Sequence, residues 1–332
     1  MRSYRIWEVG SPTNMKLDEV PDLVPAADEI VVDVAAAAVG FVDTLVVSGR
    51  YQSTPPTPFT PGMEFSGTVR AVGADVDCKI GDRVAAYVLN GAFAEQAKAK
   101  VGAFYPVPDD LPLAQAVLLS GSYLTAHFAL IERGRFSRGE IVLIGGAGGA
   151  VGLAAVQIAK ALGAGMVLAA IRSPDDRDAV LSAGADAIID LSVPDLRDTV
   201  RDQVFAATGG KGADLVIDPI GGAFLNAALR AMEWRGRLVV VGFAAGDIPS
   251  IKANYLLLKN IAVMGLELSQ FRRHEPEKMK AVQAEIFNLA REGLLSPRVG
   301  RTFNFKDLPS AVDFVTQGRT GGRALIEVGG SE

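Results

Sequence analysis

One segment constrains the fold of this chain more than any other. In residues 139–163, a β-branched run, Ile141–Ile144, leads into a glycine cluster at 145–149, and an apolar segment follows from Gly152 to Gly163. That order predicts a strand, a tight turn and a helix. Glycines let the backbone turn sharply and approach a ligand closely, and the first N–H groups of the helix point at whatever lies above the turn. A pyrophosphate is the ligand expected there.

Two other interpretations of this segment stay open. Its best register, Ala147-x-Gly149-x-x-Gly152, departs from the Gly-x-Gly-x-x-Gly pattern, so a turn that binds nothing is one alternative. A membrane-spanning helix is the other, because no charged residue lies in 141–159. Five glycines within that run, and a charged residue at either end of it, argue against a lone helix.

The bulk properties favour a globular enzyme with two domains. A chain of 332 residues is longer than the length usually organised around a single hydrophobic core, which favours two domains. Its formal net charge is −5 and it has no Lys/Arg-rich run, so we expect binding neither to nucleic acid nor to a membrane surface. The one cysteine, Cys78, excludes an intramolecular disulfide and a cysteine-based zinc site. Residues 1–8 lack the apolar stretch of a signal peptide, so a cytoplasmic location is expected.

The chain changes character near residue 113. Before it, candidate strands at Glu29–Val34 and Phe65–Val72, separated by Gly and Pro, predict a compact, irregular β-barrel. After a helical stretch, short apolar runs alternate with helical segments, which is typical of a parallel sheet covered on both faces. The six predicted strands are Ile141–Ile144, Met166–Ile171, Ala187–Ile189, Leu215–Ile217, Leu238–Val241 and Ile261–Met264.

The tail has no place in a sheet that already has six strands. It contains an amphipathic helix at Pro276–Glu292, a helix at Leu308–Gln317 and a strand near Ala324–Val328. We therefore expect the tail to return to the first domain. The predicted boundaries are 1–120 with 294–332 for a discontinuous first domain, and 121–293 for the nucleotide-binding domain.

Several short motifs, taken in order, resemble one family. They are Asp43-Thr44, Gly49-Arg50-Tyr51, Pro61 to Gly67, Gly81-Asp82-Arg83-Val84, Leu124-Thr125-Ala126, the glycine turn with Gly152 to Lys160, and Asp218 to Gly222. In this order they resemble the medium-chain dehydrogenase/reductase superfamily and, within it, the zinc-independent quinone oxidoreductase branch. The resemblance implies an α/β fold, with a doubly wound parallel (Rossmann) sheet and a GroES-like β-barrel-type catalytic domain. It also implies a homodimer that pairs an edge strand near Ile261–Met264.

The residues that match the zinc-bearing branch predict no metal. That branch needs a Cys, a His in a Gly-His-Glu segment and a further Cys or acid, because Zn²⁺ prefers thiolate and imidazole ligands. Here the matching segment is Gly62-Met63-Glu64, and the only histidines, His127 and His274, lie far from it in sequence.

The residues after the second strand of the parallel sheet indicate NADPH. An NAD site usually has an acid about 20 residues after the glycine turn, which accepts the ribose hydroxyls. This chain instead has Arg172 and Ser173, with Arg177 further along, and these can bind a 2′-phosphate. One alternative is that both arginines pair with the aspartates in 175–178. One departure from the family is Leu191, where a tyrosine often borders this pocket.

Further site residues follow from the glycine turn, for 148–151, and otherwise from the resemblance alone. The expected cofactor contacts are Gly40, Phe41, Thr125, Gly148, Gly149, Ala150, Val151, Gly242, Phe243, Ala244, Leu266 and Arg323. Each of three has another interpretation: Thr125 as a hydroxyl bonded to its own helix, Phe243 as a core residue, and Arg323 as a surface charge.

The expected reaction is hydride transfer from NADPH to a small molecule, a quinone or an α,β-unsaturated carbonyl. Tyr51, in the Gly-x-Tyr loop, is the candidate that donates a hydrogen bond to the acceptor. Gly40 departs from the family, because many relatives have asparagine there, and the loss of the asparagine amide predicts an altered substrate or cofactor geometry. A non-enzymatic NADPH-binding protein and an enoyl-thioester reductase are the alternatives.

Overall fold

The structure is a computed structural model that describes residues 1–318 and 321–329. The strands are β1 (Arg2–Ile6), β2 (Met15–Glu19), β3 (Glu29–Val39), β4 (Glu64–Val72), β5 (Arg83–Tyr87), β6 (Gln96–Lys100), β7 (Phe104–Pro106), β8 (Ile141–Ile144), β9 (Met166–Ile171), β10 (Ala187–Asp190), β11 (Ala213–Asp218), β12 (Met232–Val240), β13 (Ala262–Gly265), β14 (Val299–Asn304) and β15 (Arg323–Glu327). The α-helices are α1 (Phe41–Val47), α2 (Leu113–Leu118), α3 (Gly121–His127), α4 (Ala150–Ala161), α5 (Arg177–Ser182), α6 (Leu196–Ala207), α7 (Gly222–Ala231), α8 (Asn254–Lys259), α9 (Leu268–His274), α10 (Pro276–Arg291) and α11 (Leu308–Thr316).

The described chain forms two compact units, and the first contains a two-stranded sheet of β1 and β2 besides its main sheet. The first comprises Met1–Gly121, Phe271–Arg291 and the residues from Pro297 onward, and the second comprises Ser122–Gln270 with Glu292–Ser296. None of the helices within the described residues is long and apolar enough to cross a membrane. The segment 141–159, which has no charged residue, is instead a strand, a turn and a helix, as predicted.

The second unit is built on the predicted six-stranded parallel sheet. Its strand order is β10-β9-β8-β11-β12-β13, and every neighbouring pair is parallel. Apolar side chains fill both faces of the central strands, because helices such as α4 and α7 pack against the sheet. The direction of the strand order reverses between β8 and β11. In open sheets of this kind, ligands bind at the carboxyl ends of the strands near such a reversal.

The first unit is built on a seven-stranded sheet around β3, its longest strand. The order is β14-β15-β3-β4-β5-β7, and β6 also pairs with β3. The last strand, β15, runs antiparallel to β3, so the C-terminal residues return to the sheet of the N-terminal ones. Apolar residues of these strands form a core that includes Phe65, Phe93 and Val312.

Helix α10 lies outside the unit to which the boundaries predicted from the sequence assign it. Helix α10 belongs to the first unit, whereas the boundary 121–293 placed it with the nucleotide-binding domain. Met279, Ile286 and Phe287 form the buried face of α10, and the buried Gln283 Nε2 donates a hydrogen bond of 3.1 Å to the carbonyl of Leu119. The amphipathic pattern predicted the helix correctly, but periodicity does not reveal which core a helix covers.

Candidate functional site

The glycine turn joins β8 to α4 and is held by backbone hydrogen bonds on both sides. The Gly145 N–H donates to the carbonyl of Ile217 in β11 (2.9 Å), and the Ala147 N–H donates to that of Ala170 in β9 (3.0 Å). Gly149 precedes α4 in extended conformation and provides no side chain to cap it. The first N–H groups of α4, from Ala150 and Val151 onward, are therefore available to a ligand.

Two glycines of the turn approach other atoms closely. A Cβ atom at Gly152 would lie 2.3 Å from the carbonyl oxygen of Gly146, and one at Gly148 would lie 2.3 Å from Cγ of Asp176. The atoms that meet Gly152 belong to the backbone, so this position needs a glycine, whereas a residue larger than glycine at 148 would require the Asp176 side chain to move. The backbone N–H groups at the amino end of a 12-residue helix therefore stay open to a ligand such as a pyrophosphate.

The residues expected to bind a 2′-phosphate lie just after β9. Arg172 and Arg177 are exposed, and neither forms an ion pair with another described residue. The pairing with the neighbouring aspartates is therefore not observed, although both arginines are solvated, as that alternative expects, and Arg177 is the first residue of α5. The Ser173 hydroxyl accepts the N–H of Asp175 at 3.3 Å, which caps the 3₁₀ turn Pro174–Asp176.

An acid that the sequence analysis did not select lies at this same place. Oδ2 of Asp176 would be 2.4 Å from a Cβ at Gly148, so the carboxylate packs directly on the glycine turn. Its half-buried side chain lies beside the amino end of α4. Asp176 follows β9 by several residues, so the pattern of an acid directly at the strand end does not reveal it. A carboxylate here adds negative charge beside the two arginines.

The other cofactor candidates of the second unit gather at the same edge of the sheet. Phe243 follows β12 and is 40% exposed, which excludes the alternative that it is a core residue. Leu266 follows β13, and its N–H donates to the carbonyl of Val240 at 2.9 Å. Gly242 and Ala244 flank Phe243, while Thr125 is a half-buried residue of α3.

Asp218, at the carboxyl end of β11, shapes this edge. Its Oδ1 accepts the N–H groups of Ile220 (2.9 Å) and Gly221 (2.8 Å), which folds the Asp-Pro-Ile-Gly-Gly segment back over the strand end. Burial raises the pKa of Asp218 above its ordinary value. Its role is therefore to hold the loop in place.

In the first unit, a buried ionic cluster surrounds Gly40. Glu64 accepts three hydrogen bonds: from Arg323 Nη2 (2.7 Å), from the Ser120 hydroxyl (2.7 Å) and from the Gly121 N–H (3.1 Å). The side chains of Glu64 and Arg323 are each 7% exposed. Arg323 is therefore not the surface charge of the alternative interpretation, because it neutralises a buried carboxylate.

Asp43 is a second buried carboxyl in this cluster. Its Oδ2 accepts the N–H of Gly40 at 2.7 Å at the start of α1, and its Oδ1 has no hydrogen-bond partner among the described residues. Burial, and to a smaller extent the nearby charge of Glu64, raise the pKa of Asp43 to about 7. The neighbouring candidate Phe41 is 51% exposed and points away from the core.

Tyr51 is half-buried and packs against the core of the first unit. Its phenol interacts electrostatically with Tyr87, the last residue of β5. Burial raises the pKa of Tyr87, and Glu64 raises it further. Tyr87 therefore stays a neutral phenol that can donate a hydrogen bond.

The segment that matches the zinc-bearing branch includes Glu64, whose carboxylate lies beside Gly40. Met63 is buried and replaces the histidine of zinc-bearing relatives, and the carboxylate of Glu64 is already held by Arg323. Within the part of the chain that the structure describes, no three His, Cys, Asp or Glu residues form a group that could hold a metal ion.

Comparison with known proteins places both units in one family. A family model described as a zinc-binding dehydrogenase matches residues 150–285, and another, described as an alcohol dehydrogenase GroES-like domain, matches residues 26–109. The chain is 35% identical to quinone oxidoreductase-like protein 2 of Rattus norvegicus over 315 residues, covering 95% of this chain and 89% of the rat protein. It is 32% identical to quinone oxidoreductase of Mus musculus, covering 98% of each chain.

A solved structure supports the same assignment. Escherichia coli quinone oxidoreductase, complexed with NADPH, superposes with a TM-score of 0.88 at 26% identity, covering 99% of this chain and 100% of that one. These similarities extend over the whole chain and agree with the parallel sheet, its glycine turn and the GroES-like unit. The chain belongs to the quinone oxidoreductase branch of the medium-chain dehydrogenase/reductase superfamily.

Proposed function

We propose that this protein is an NADPH-dependent oxidoreductase that reduces a quinone or an α,β-unsaturated carbonyl without zinc. The observation that carries the proposal is the glycine turn, with its uncapped helix and the two arginines, Arg172 and Arg177, that form no ion pair with described residues. The E. coli relative, which is 26% identical, was solved with NADPH.

The residues of each unit have separate tasks in this proposal. In the second unit, the α4 N-terminus would hold the pyrophosphate and Arg172 with Arg177 the 2′-phosphate. When bound, the reduced nicotinamide supplies a hydride. In the first unit, Tyr51 would donate a hydrogen bond to the carbonyl oxygen of the acceptor, and its effect is to orient and polarise that carbonyl.

Turnover on a substrate panel tests this proposal. The loss of NADPH absorbance is followed with quinones, enones and enoyl thioesters, and each active acceptor is then repeated with NADH. We expect a quinone or an enone to oxidise NADPH. A preference for the thioesters would instead indicate an enoyl-thioester reductase.

A non-enzymatic NADPH-binding protein is the second candidate, and Gly40 favours it. The position has no side chain, and its N–H is occupied by Asp43, so it offers no side-chain amide to a ligand. Binding of NADPH without turnover on any member of the panel would support this second function.

A further inference from the structure

Arg272, in the last turn of α9, is a basic residue of the first unit that no motif selects. Its guanidinium carbon lies 4.3 Å from the ring centroid of Tyr87, a cation–π contact. The next residue, Arg273, is exposed. The fold therefore directs one of two adjacent arginines into the protein and leaves the other in solvent.

Arg272 and a neighbouring tyrosine have buried donors without acceptors. Nε and Nη2 of Arg272 and the hydroxyl of Tyr105 are buried and form no hydrogen bond with any described residue. Tyr105 is only 1% exposed, and the charge of Arg272 acts on its phenol. A buried donor without a partner is costly, and natural proteins keep such groups mainly where a ligand or water completes them.

The two carboxyls that act on Tyr87 form no ion pair with Arg272. Glu64 is held by Arg323, and Asp43 is engaged by the N–H of Gly40. Burial outweighs the effect of Arg272 on the two phenols, so it raises the pKa of Tyr105 to about 12 and also raises that of Tyr87. Both tyrosines keep their protons. Arg272 is thus an unpaired cation beside two neutral hydrogen-bond donors, the phenols of Tyr87 and Tyr105. This arrangement suits the binding of an oxyanion.

We propose that Arg272, stacked on Tyr87, binds the substrate oxygen that becomes negatively charged during reduction. This rests on the proposed function, and it adds the group that stabilises the developing charge. The ligand class is an enolate or a hydroquinone anion. Preorganised donors of this kind lower the barrier because they need no rearrangement when the charge develops.

The electrons balance as follows for an enone acceptor. The β-carbon receives the hydride with its two electrons, and the C=C pair shifts to join the α-carbon to the carbonyl carbon. The carbonyl π pair moves onto oxygen, where Arg272 meets the negative charge. A proton from water then adds to the α-carbon and the carbonyl reforms, so the acceptor has gained two electrons and two hydrogens.

Phenol ionisation tests this site without turnover. The probe is 4-nitrophenol, whose phenolate absorbs visible light, titrated against pH on the wild type and on Arg272→Gln, with Arg273→Gln as the matched control. We expect the wild type and the control to lower the pKa of bound 4-nitrophenol by about 1 or more, the effect of a nearby opposite charge. Arg272→Gln should lose this shift. Arg272→Lys keeps the charge and should retain part of the pKa shift. If the Gln variant does not fold, the size of the shift in the Lys variant is the test.

The same variants separate this inference from the proposed function. Each is titrated with NADPH by fluorescence, and Arg272→Gln should bind it like the wild type. With an active acceptor, kcat/KM should fall about 100-fold or more, as for loss of an oxyanion donor. A wild type that neither binds 4-nitrophenol nor shifts its pKa, or an Arg272→Gln variant that shifts it equally, would overturn the site. Failure of NADPH binding in the wild type would instead overturn the proposed function.

Discussion

At the scale of single residues, two carboxyl groups that are wholly or partly shielded from solvent, those of Asp43 and Asp176, have consequences that can be measured.

The buried carboxyl of Asp43 predicts how stability varies with pH. Its pKa is raised to about 7 in the folded protein, so the folded state holds the proton more tightly than the unfolded state does. The free energy of unfolding should therefore fall as pH rises from about 4 to about 7, by up to about 4 kcal/mol. Urea denaturation across this range should show a weaker fall in Asp43→Asn. The exposed control Asp75→Asn should follow the wild type, and equal slopes in all three would refute this assignment.

The position of Asp176 predicts that NADPH binds less tightly than it would if only Arg172 and Arg177 acted on its 2′-phosphate. Its carboxylate lies at the glycine turn, so it repels a phosphate held nearby. In Asp176→Asn we expect the ratio of NADPH to NADH affinity to rise about 3- to 10-fold, as for about 1 kcal/mol of lost repulsion. Asp175→Asn, on the same turn but exposed, is the charge-matched control. An unchanged ratio in Asp176→Asn would mean that this carboxylate lies away from the bound phosphate.

Sequence alone identified only some residues of the candidate site. Arg172 was selected by its position after a strand, and Arg323 by a family motif. Asp176 and Arg272 were not selected, because the residues that they contact, Gly148 and Tyr87, are far away in sequence. Only the folded chain brings these pairs together, and a motif records neither burial nor a missing partner.

At the scale of elements, the prediction succeeded where a strand is a continuous apolar run bounded by glycine. The bounds of β8 and β9 are those predicted, because such runs are buried on both faces and end sharply. Strands β1, β2, β6 and β7 were missed. They belong to the first unit, where polar residues such as Lys16 and Lys98 interrupt the apolar pattern.

The glycine turn is the element most sensitive to one added methyl group. In Gly152→Ala, the Cβ would meet the Gly146 carbonyl at 2.3 Å, so α4 must move away from the turn. We expect NADPH affinity to fall at least about 10-fold, since the N–H groups lose their alignment. Gly265→Ala, where a Cβ meets nothing within 4 Å, is the control. Calorimetric titration with NADPH compares them, and intact binding by Gly152→Ala would contradict the role of the turn.

At the scale of the whole molecule, the two-unit division followed from chain length and from the change of pattern near residue 113. The return of β15 to the sheet of β3 was also expected, because a sheet of six strands had no room for the tail. The placement of α10 in the first unit was not expected. Its apolar face fits either core by pattern alone, and only packing against the first unit decides the matter.

Strand β13 lies at one edge of the parallel sheet, and we propose that two copies pair there. Sedimentation equilibrium should give twice the chain mass of 34.8 kDa. Ala262→Lys puts a charge at an exposed position of this edge, so it should shift the protein toward monomer. Ala206→Lys, at an exposed position of α6, should leave the mass unchanged. A monomeric wild type would contradict the pairing.

The central claim is that the glycine turn and Arg172 bind NADPH in preference to NADH, and titration of both cofactors tests it most directly. Fluorescence titrations of the wild type should give tighter binding of NADPH. Arg172→Ala should weaken NADPH binding about 10- to 100-fold, the effect of losing a charged hydrogen bond, and leave NADH binding unchanged. Equal affinity for the two cofactors in the wild type, with no change in Arg172→Ala, would contradict the account.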